Sequence, residues 1–249
     1  VNVGRLDGKP VGLLDRLLFP IANALVLRPL RDLLGLTRLR CASCGGATMA
    51  PDVFRMFHAM GIPLRNIYGS TETGLLTCHQ GDRFDLETVG HWMKAHPEAG
   101  PPLEWRLSAD GELQIRGGSP FLGYYRREGS VESKVKDGWF YTGDAVTKTE
   151  LGELVFLERL SDLKRLRSGE TFPPQFVETR LRFSPFIKDI MTVGDETRDF
   201  VAALINIDMA VLSRWAEDKR IGFSTFTDLS QRPEVAELIS QEITRVNQF

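Results

Sequence analysis

Six consecutive residues, Tyr68-Gly69-Ser70-Thr71-Glu72-Thr73, combine an aromatic ring, a glycine, aliphatic hydroxyls and one carboxylate. An aromatic face can stack a base, hydroxyls can hydrogen-bond a phosphate, and a carboxylate can hold Mg2+, a hard cation that prefers oxygen ligands. A second segment, Gly138-Trp139-Phe140-Tyr141-Thr142-Gly143-Asp144, ends on a carboxylate that reads as lying on a loop. Such a group can accept hydrogen bonds from both hydroxyls of a ribose. The two segments describe a site for a magnesium-bound adenine nucleotide, and neither has the form of a kinase phosphate loop or a dinucleotide fingerprint. Alone, the hexapeptide is ambiguous: Gly, Ser and Thr populate turns, and Ser70 could merely cap a helix.

The elements that must position these residues fall into three regions. Residues 1–88 alternate helical and strand signals, an α/β order. Leu13–Leu34 reads as a helix kinked or broken near Pro20 or Pro29, Leu39–Ser43 as a short strand, Pro51–Met60 as a helix and Pro63–Tyr68 as a strand. Residues 89–158 change character: Asp110-Gly111 and Asp137-Gly138 are two-residue hairpin turns and Leu151-Gly152 a third turn, between the β-prone runs Leu113–Arg116, Trp139–Thr142 and Glu153–Leu157. A small antiparallel sheet or barrel is expected there. From Glu158 to Arg167 the chain is strongly charged, as solvated loops and linkers are. Beyond it come a helix opened by Pro173-Pro174, strands near Ile187–Val193 and Phe200–Ile207, and helices near 208–219 and 233–249, a separate α+β domain.

Composition removes several function classes. The chain has 249 residues, 42% hydrophobic and 26% charged, as an ordinary globular protein has. A net charge of −2, with no basic stripe interleaved with aromatics, gives no footprint for nucleic acid. Three cysteines without a secretory signal point to a reducing compartment. Cys41 and Cys44 form a single CxxC, and a zinc site needs a second pair, so a strand entering a glycine turn is the plainer reading. His58, His79, His91 and His96 show no ligand or triad spacing and read as surface or packing residues. His91-Trp92-Met93 could border an acyl pocket or fill the sheet. The apolar stretch Leu17–Leu27 contains Pro20 and is too short to span a bilayer; it reads as a helix packed in the protein, with interfacial membrane contact as the alternative.

Several segments in order, Ser43-Cys44-Gly45-Gly46-Ala47, Tyr68–Glu72, Gly111–Gly117, Gly123-Tyr124-Tyr125, Gly138–Asp144, Glu158-Arg159 and Ser168-Gly169-Glu170 with Pro173, resemble the motifs of AMP-forming acyl-CoA synthetases, the adenylating superfamily that includes luciferases and peptide-synthetase adenylation domains. Looser similarity at Leu27–Leu34, after Asn206 and at Glu242–Asn247 points to bacterial long-chain fatty acid–CoA ligases. The resemblance implies an α/β fold. Residues 1–158 would be the C-terminal part of the large adenylate-forming domain, with 1–88 its α/β portion and 89–158 a β-barrel portion. Residues 159–249 would be a truncated, mobile smaller domain.

It also implies roles. Gly45, Gly46 and Ala47 would lie flat along adenine, where side chains would obstruct the approach. Tyr68 would stack on the base, with Gly69 in the same nucleotide-binding segment; Thr71 would hydrogen-bond the α-phosphate and Glu72 would ligate Mg2+. Asp144 would hold the ribose hydroxyls, and Arg159 would reach ribose or phosphate from the start of the mobile domain. Phe156 stands where an aromatic often covers the nucleotide, or fills a barrel core. The implied reaction joins a fatty-acid carboxylate to the α-phosphorus of ATP, releasing pyrophosphate; the thiol of coenzyme A then attacks the acyl-adenylate and AMP departs. A cytoplasmic enzyme with peripheral membrane contact is expected. The alternatives are an acyl-AMP ligase that delivers to a carrier protein and a non-catalytic nucleotide- or acyl-binding remnant. A phosphate-wrapping loop with its lysine would precede Val1 and the adenylation lysine would follow Phe249, so the 249-residue polypeptide alone is expected to be inactive or nearly so. At the hinge position, usually Asp or Lys, stands Ser161, with Asp162 beside it.

Overall fold

Two prolines shape the first long helix. In the computed structural model it is built of α1 (Leu13–Ala22), a π-helical turn (Asn23–Leu27) and α2 (Arg28–Leu33). Pro29 has no N–H, and its ring would crowd the carbonyl four residues earlier. The turn before it is widened instead: the Arg28 N–H donates to the carbonyl of Asn23, five residues back. The expected break near Pro29 is therefore this π turn, which ends two residues before it.

The expectation of a packed helix is corrected. No residue of α1, the π turn or α2 is buried, and Leu13, Leu25 and Leu33 expose 78%, 73% and 84% of their surface. What ties the segment down is polar: the Arg31 guanidinium donates to the Met60 carbonyl and, at 2.9 Å, to Asn23 Oδ1. Among the described residues no helix is long and apolar enough to cross a membrane.

The structure describes residues 2, 4, 9–46, 49, 51–81, 83–93, 103–117, 123–127 and 131–247. Cα packing divides the chain into two units, Val1–Phe156 and Leu157–Phe249, two residues before the expected boundary at 158/159.

In the first unit, β1 (Ala42–Cys44) runs parallel to β2 (Leu64–Ser70) through the crossover helix α3 (Pro51–Ala59). Proline suits the first helical turn, where its missing N–H costs nothing. Phe54 of α3 is fully buried against Leu64 and Leu86. β3 (Gly74–Cys78) and β4 (His91–Trp92) continue the sheet antiparallel. His79 is buried beside it, stacked on Phe84 with ring centroids 4.1 Å apart, so its role is packing.

A second sheet has the order β5 (Glu104–Leu107), β6 (Glu112–Arg116), β8 (Trp139–Lys148), β7 (Val135–Lys136), with β9 (Leu154–Arg159) on β8. Its turns follow the glycines. Asp137 and Gly138, both at positive φ, make the two-residue turn between paired Lys136 and Trp139. The other two turns are longer than expected. Ser108 N–H reaches the Glu112 carbonyl and Thr149 N–H the Glu153 carbonyl, each across three residues whose last, Gly111 or Gly152, has positive φ. Leu113, Ile115, Val146 and Leu154 pack with Leu76 of β3, so one core serves both sheets. Trp92 stacks on Trp105 at 5.5 Å and lies against that core; it fills the sheet.

In the second unit the charged run does not form a simple linker. It includes a 3-10 turn (Leu160–Asp162) and β10 (Lys164–Arg165), which pairs with β11 (Thr171–Phe172). Then follow α4 (Pro174–Arg182), the antiparallel pair β12 (Ile187–Val193) and β13 (Ala202–Ile207), α5 (Met209–Asp218), α6 (Phe226–Ser230) and α7 (Pro233–Val246). Leu181, Ile187 and Ile190 form one core cluster, and Ile207, Leu212, Ala216, Leu229 and Val235 another.

Candidate functional site

β2 and β3 pair through Ser70 and Gly74, which leaves Thr71-Glu72-Thr73 as the hairpin tip. Ser70 therefore caps no helix: its N–H and hydroxyl meet the Thr73 hydroxyl at 3.3 and 3.0 Å and brace the tip. Gly69 sits at a bulge in this ladder. A Cβ there would lie 2.1 Å from the Gly74 carbonyl oxygen and 2.9 Å from Leu75 Cα, so close backbone approach demands the glycine. Thr71 is exposed at the tip and Glu72 half-buried beside it.

Asp144 lies within β8, not on a loop, and is buried. Glu112 pairs with Ala145 but Gln114 with Tyr141, so β8 carries extra residues at this point. Gly143 takes φ +75° there. Two side chains hold the bulge through three hydrogen bonds: Gly143 N–H donates to Glu112 Oε1 at 2.9 Å, Thr142 Oγ1 donates to the Leu113 carbonyl at 2.7 Å, and Asp144 N–H donates to Thr142 Oγ1 at 3.1 Å.

These devices bring residues 76 apart in sequence into contact: the Tyr68 hydroxyl donates to Asp144 Oδ2. The Tyr68 ring also stacks on Phe156, centroids 5.7 Å apart, and both rings lie against the shared core. At the tip, the Tyr124 hydroxyl donates to Glu72 Oε1. That hydrogen bond is the main reason the Glu72 carboxyl lies below its ordinary range, helped by its own backbone N–H, the Ser70 hydroxyl and, least, the charge of Lys134.

The other expected site residues are placed as follows. A Cβ on Gly45 would meet the Ile67 carbonyl oxygen at 2.7 Å, so this glycine is needed against β2 itself. Gly46 has φ +82° with nothing within 4 Å of a Cβ position, an open backbone that a flat ligand could approach. Ala47 lies outside the described residues. Arg159 is exposed in the second unit, at the end of β9. Its neighbour Glu158 is buried, accepts the Gln175 N–H at the start of α4 at 3.3 Å, and has its pKa raised by burial. Ser161 donates to Asp162 Oδ1 at 2.9 Å on the surface.

Hydroxyls, backbone and one carboxylate at the tip are the hard oxygen donors that suit Mg2+. Among the described residues no group of three or more His, Cys, Asp or Glu could hold a metal ion. One carboxylate among hydroxyls fits a cation that keeps waters and shares substrate phosphates. Sequence reasoning missed the contributions of Glu112, Thr142 and Lys134, whose types carry no signal without the register. It quoted Tyr124 in a motif but gave it no task.

No protein-family model matches the chain. It is 32% identical over 238 residues to the long-chain-fatty-acid–CoA ligase FadD15 of Mycobacterium bovis, covering 95% of this chain and 38% of that protein. To long chain acyl-CoA synthetase 1 of Arabidopsis thaliana it is 29% identical over 242 residues, covering 90% and 35%. Among solved structures, the A domain of a carboxylic acid reductase from Segniliparus rugosus, in complex with AMP and a co-purified carboxylic acid, superposes with a TM-score of 0.62 at 20% identity, over 99% of this chain and 36% of that one. The o-succinylbenzoate CoA synthetase of Bacillus subtilis, in complex with its acyl-adenylate intermediate, gives 0.57 at 22% identity, over 79% and 43%. At such identities these two likenesses speak for the fold, an α/β arrangement of sheets and helices shared with adenylate-forming enzymes. The chain spans little more than a third of the length of the curated relatives it matches. Over that stretch its relatives are long-chain fatty-acid–CoA ligases and acyl-CoA synthetases.

Proposed function

We propose that the whole protein activates a long-chain fatty acid with ATP and transfers it to coenzyme A, and that this chain supplies the nucleotide cradle. The observation that carries the reading is the meeting of Tyr68 and Asp144, an aromatic ring and a buried carboxylate, with Tyr68 on the strand that leads into a hairpin tip of oxygen donors. In this reading Asp144 accepts the ribose hydroxyls, Tyr68 and the open backbone at Gly46 flank the base, and Thr71 donates to the α-phosphate. Glu72 would hold Mg2+, which supplies charge neutralisation at the phosphates. Arg159, from the second unit, adds positive charge for ribose or phosphate.

The chemistry is acyl activation. The fatty-acid carboxylate attacks the α-phosphorus, pyrophosphate leaves, and the acyl group becomes a mixed anhydride with AMP. The thiol sulfur of coenzyme A then bonds to the acyl carbon as the bond to AMP breaks. Donors aimed at the phosphate stabilise charge that develops there during transfer. Rotation of residues 159–249 between the steps, with Ser161 as hinge, belongs to the same proposal.

The test is product analysis by mass spectrometry with the full-length protein, hexadecanoate, ATP and either coenzyme A or a holo-acyl carrier protein. Hexadecanoyl-CoA and AMP are expected. Acylated carrier without acyl-CoA would transfer the second step to a different acceptor, and absence of AMP in both mixtures would contradict acyl activation altogether. A cytoplasmic enzyme touching the membrane surface completes the proposal, and the exposed leucines of α1 and α2 support that contact.

A further inference from the structure

Tyr124 belongs to a segment for which neither the sequence reading nor the likeness to known enzymes supplies a task. It lies 52 residues from Glu72 in sequence, yet its hydroxyl donates to Glu72 Oε1. Its backbone is held by a bridge to Arg127. Glu72 itself sits on a three-residue tip braced by Ser70 and Thr73, and its carboxylate takes lesser hydrogen bonds from its own backbone N–H and the Ser70 hydroxyl, both at that tip. A glutamate has three side-chain torsions, so a carboxylate on such a tip samples many positions unless something fixes its far end. Tyr124 is that fixture. A carboxylate has two oxygens and about four acceptor sites, so these hydrogen bonds leave an acceptor site for a cation. The donor is a rigid ring, which loses little freedom in holding this geometry.

We infer that Tyr124 is a positioning residue for the divalent cation of the nucleotide site, fixing the Glu72 carboxylate so that its remaining acceptor site meets the cation. The inference rests on the nucleotide-binding role proposed above. It places the cation's protein ligand under the control of a residue from the second sheet's long connection, and not of the hairpin alone.

The experiment uses the 249-residue chain, wild type and Tyr124→Phe, which keeps the ring and removes only the hydroxyl. Calorimetry measures ATP affinity with Mg2+ and with chelator, and AMP affinity in chelator; Mn2+ electron paramagnetic resonance counts cation bound in the presence of ATP. In the wild type, ATP should bind more tightly with Mg2+ than without. In Tyr124→Phe that metal-dependent gain should fall by about tenfold, the order of a lost charge-assisted hydrogen bond, while AMP affinity stays within about twofold. Bound Mn2+ should fall in parallel. An undiminished gain in Tyr124→Phe would overturn the inference and leave the nucleotide site standing. Equal losses for AMP and for magnesium–ATP would also overturn it, by making Tyr124 a general support of the fold. A wild-type chain that binds neither nucleotide would remove both the inference and the site.

Discussion

His79 sets a pH limit on the first unit. Its Nδ1 accepts the Asn66 N–H at 3.1 Å and its Nε2 donates to the Thr88 carbonyl at 2.9 Å, which fixes the neutral tautomer. Burial, first of all, lowers its pKa from 6.5 to about 4. Above pH 6.5 neither folded nor unfolded chain carries this proton; between 6.5 and 4 only the unfolded chain does. Stability must therefore fall as pH drops through that window, by about 3 kcal/mol in all, and level off below it. Urea unfolding of wild type and His79→Gln between pH 4 and 7 checks this, with the substitution expected to flatten that part of the slope. The lack of partner spacing left His79 as a surface or packing residue, and its burial decides for packing. Asp144 was legible by type but not by place. Its strand position depends on a register shift between β6 and β8, and register is set by residues distant in sequence. Gly69 was read as a turn glycine, whereas Gly74 backbone approaching within 2.1 Å of its Cβ position is what requires it.

At the scale of elements, α1 and α2 are the unusual feature. Leu14, Leu17, Leu18, Ile21, Leu25 and Val26 are all exposed, in a segment that also carries Arg16, Arg28 and Arg31. Apolar side chains on a segment that also carries Arg16 and Arg28 suit the interface of an anionic membrane. The chain should therefore float with vesicles containing anionic lipid, and Leu17→Glu with Leu25→Glu should weaken that binding by about tenfold or more, since each removes a buried leucine's transfer energy. Equal flotation of the doubly substituted chain would remove the helix from membrane contact. Its apolar run made the helix legible, but an apolar run says that a surface needs cover, not what covers it. The turns were easier: Asp137-Gly138 fixes its own geometry through two positive φ values, while the loops at Gly111 and Gly152 run one residue longer than the dipeptide rule expects. Two-residue strands such as β10 and β11 and the five-residue α6 have too few positions to display a period.

Taken whole, the molecule has two units, and the candidate site residues fall in both. Tyr68, Glu72, Asp144 and Phe156 lie in the first, and Arg159 in the second. The α/β character and the order of the motifs were legible because each motif carries its own glycines, hydroxyls and charges. The meeting of Tyr68 and Asp144 was not, because it requires both sheets to share the core built on Leu76, Leu113 and Leu154. The central claim is that this meeting point is a nucleoside cradle. AMP titrated calorimetrically into the wild-type chain and into Asp144→Asn tests it most directly, since the substitution keeps shape and removes charge. Hydrogen bonds to a charged acceptor contribute about 1.5–3 kcal/mol, so AMP should bind the wild type and bind Asp144→Asn at least about tenfold more weakly. Equal affinity of the two chains for AMP, with both folded, would contradict the account.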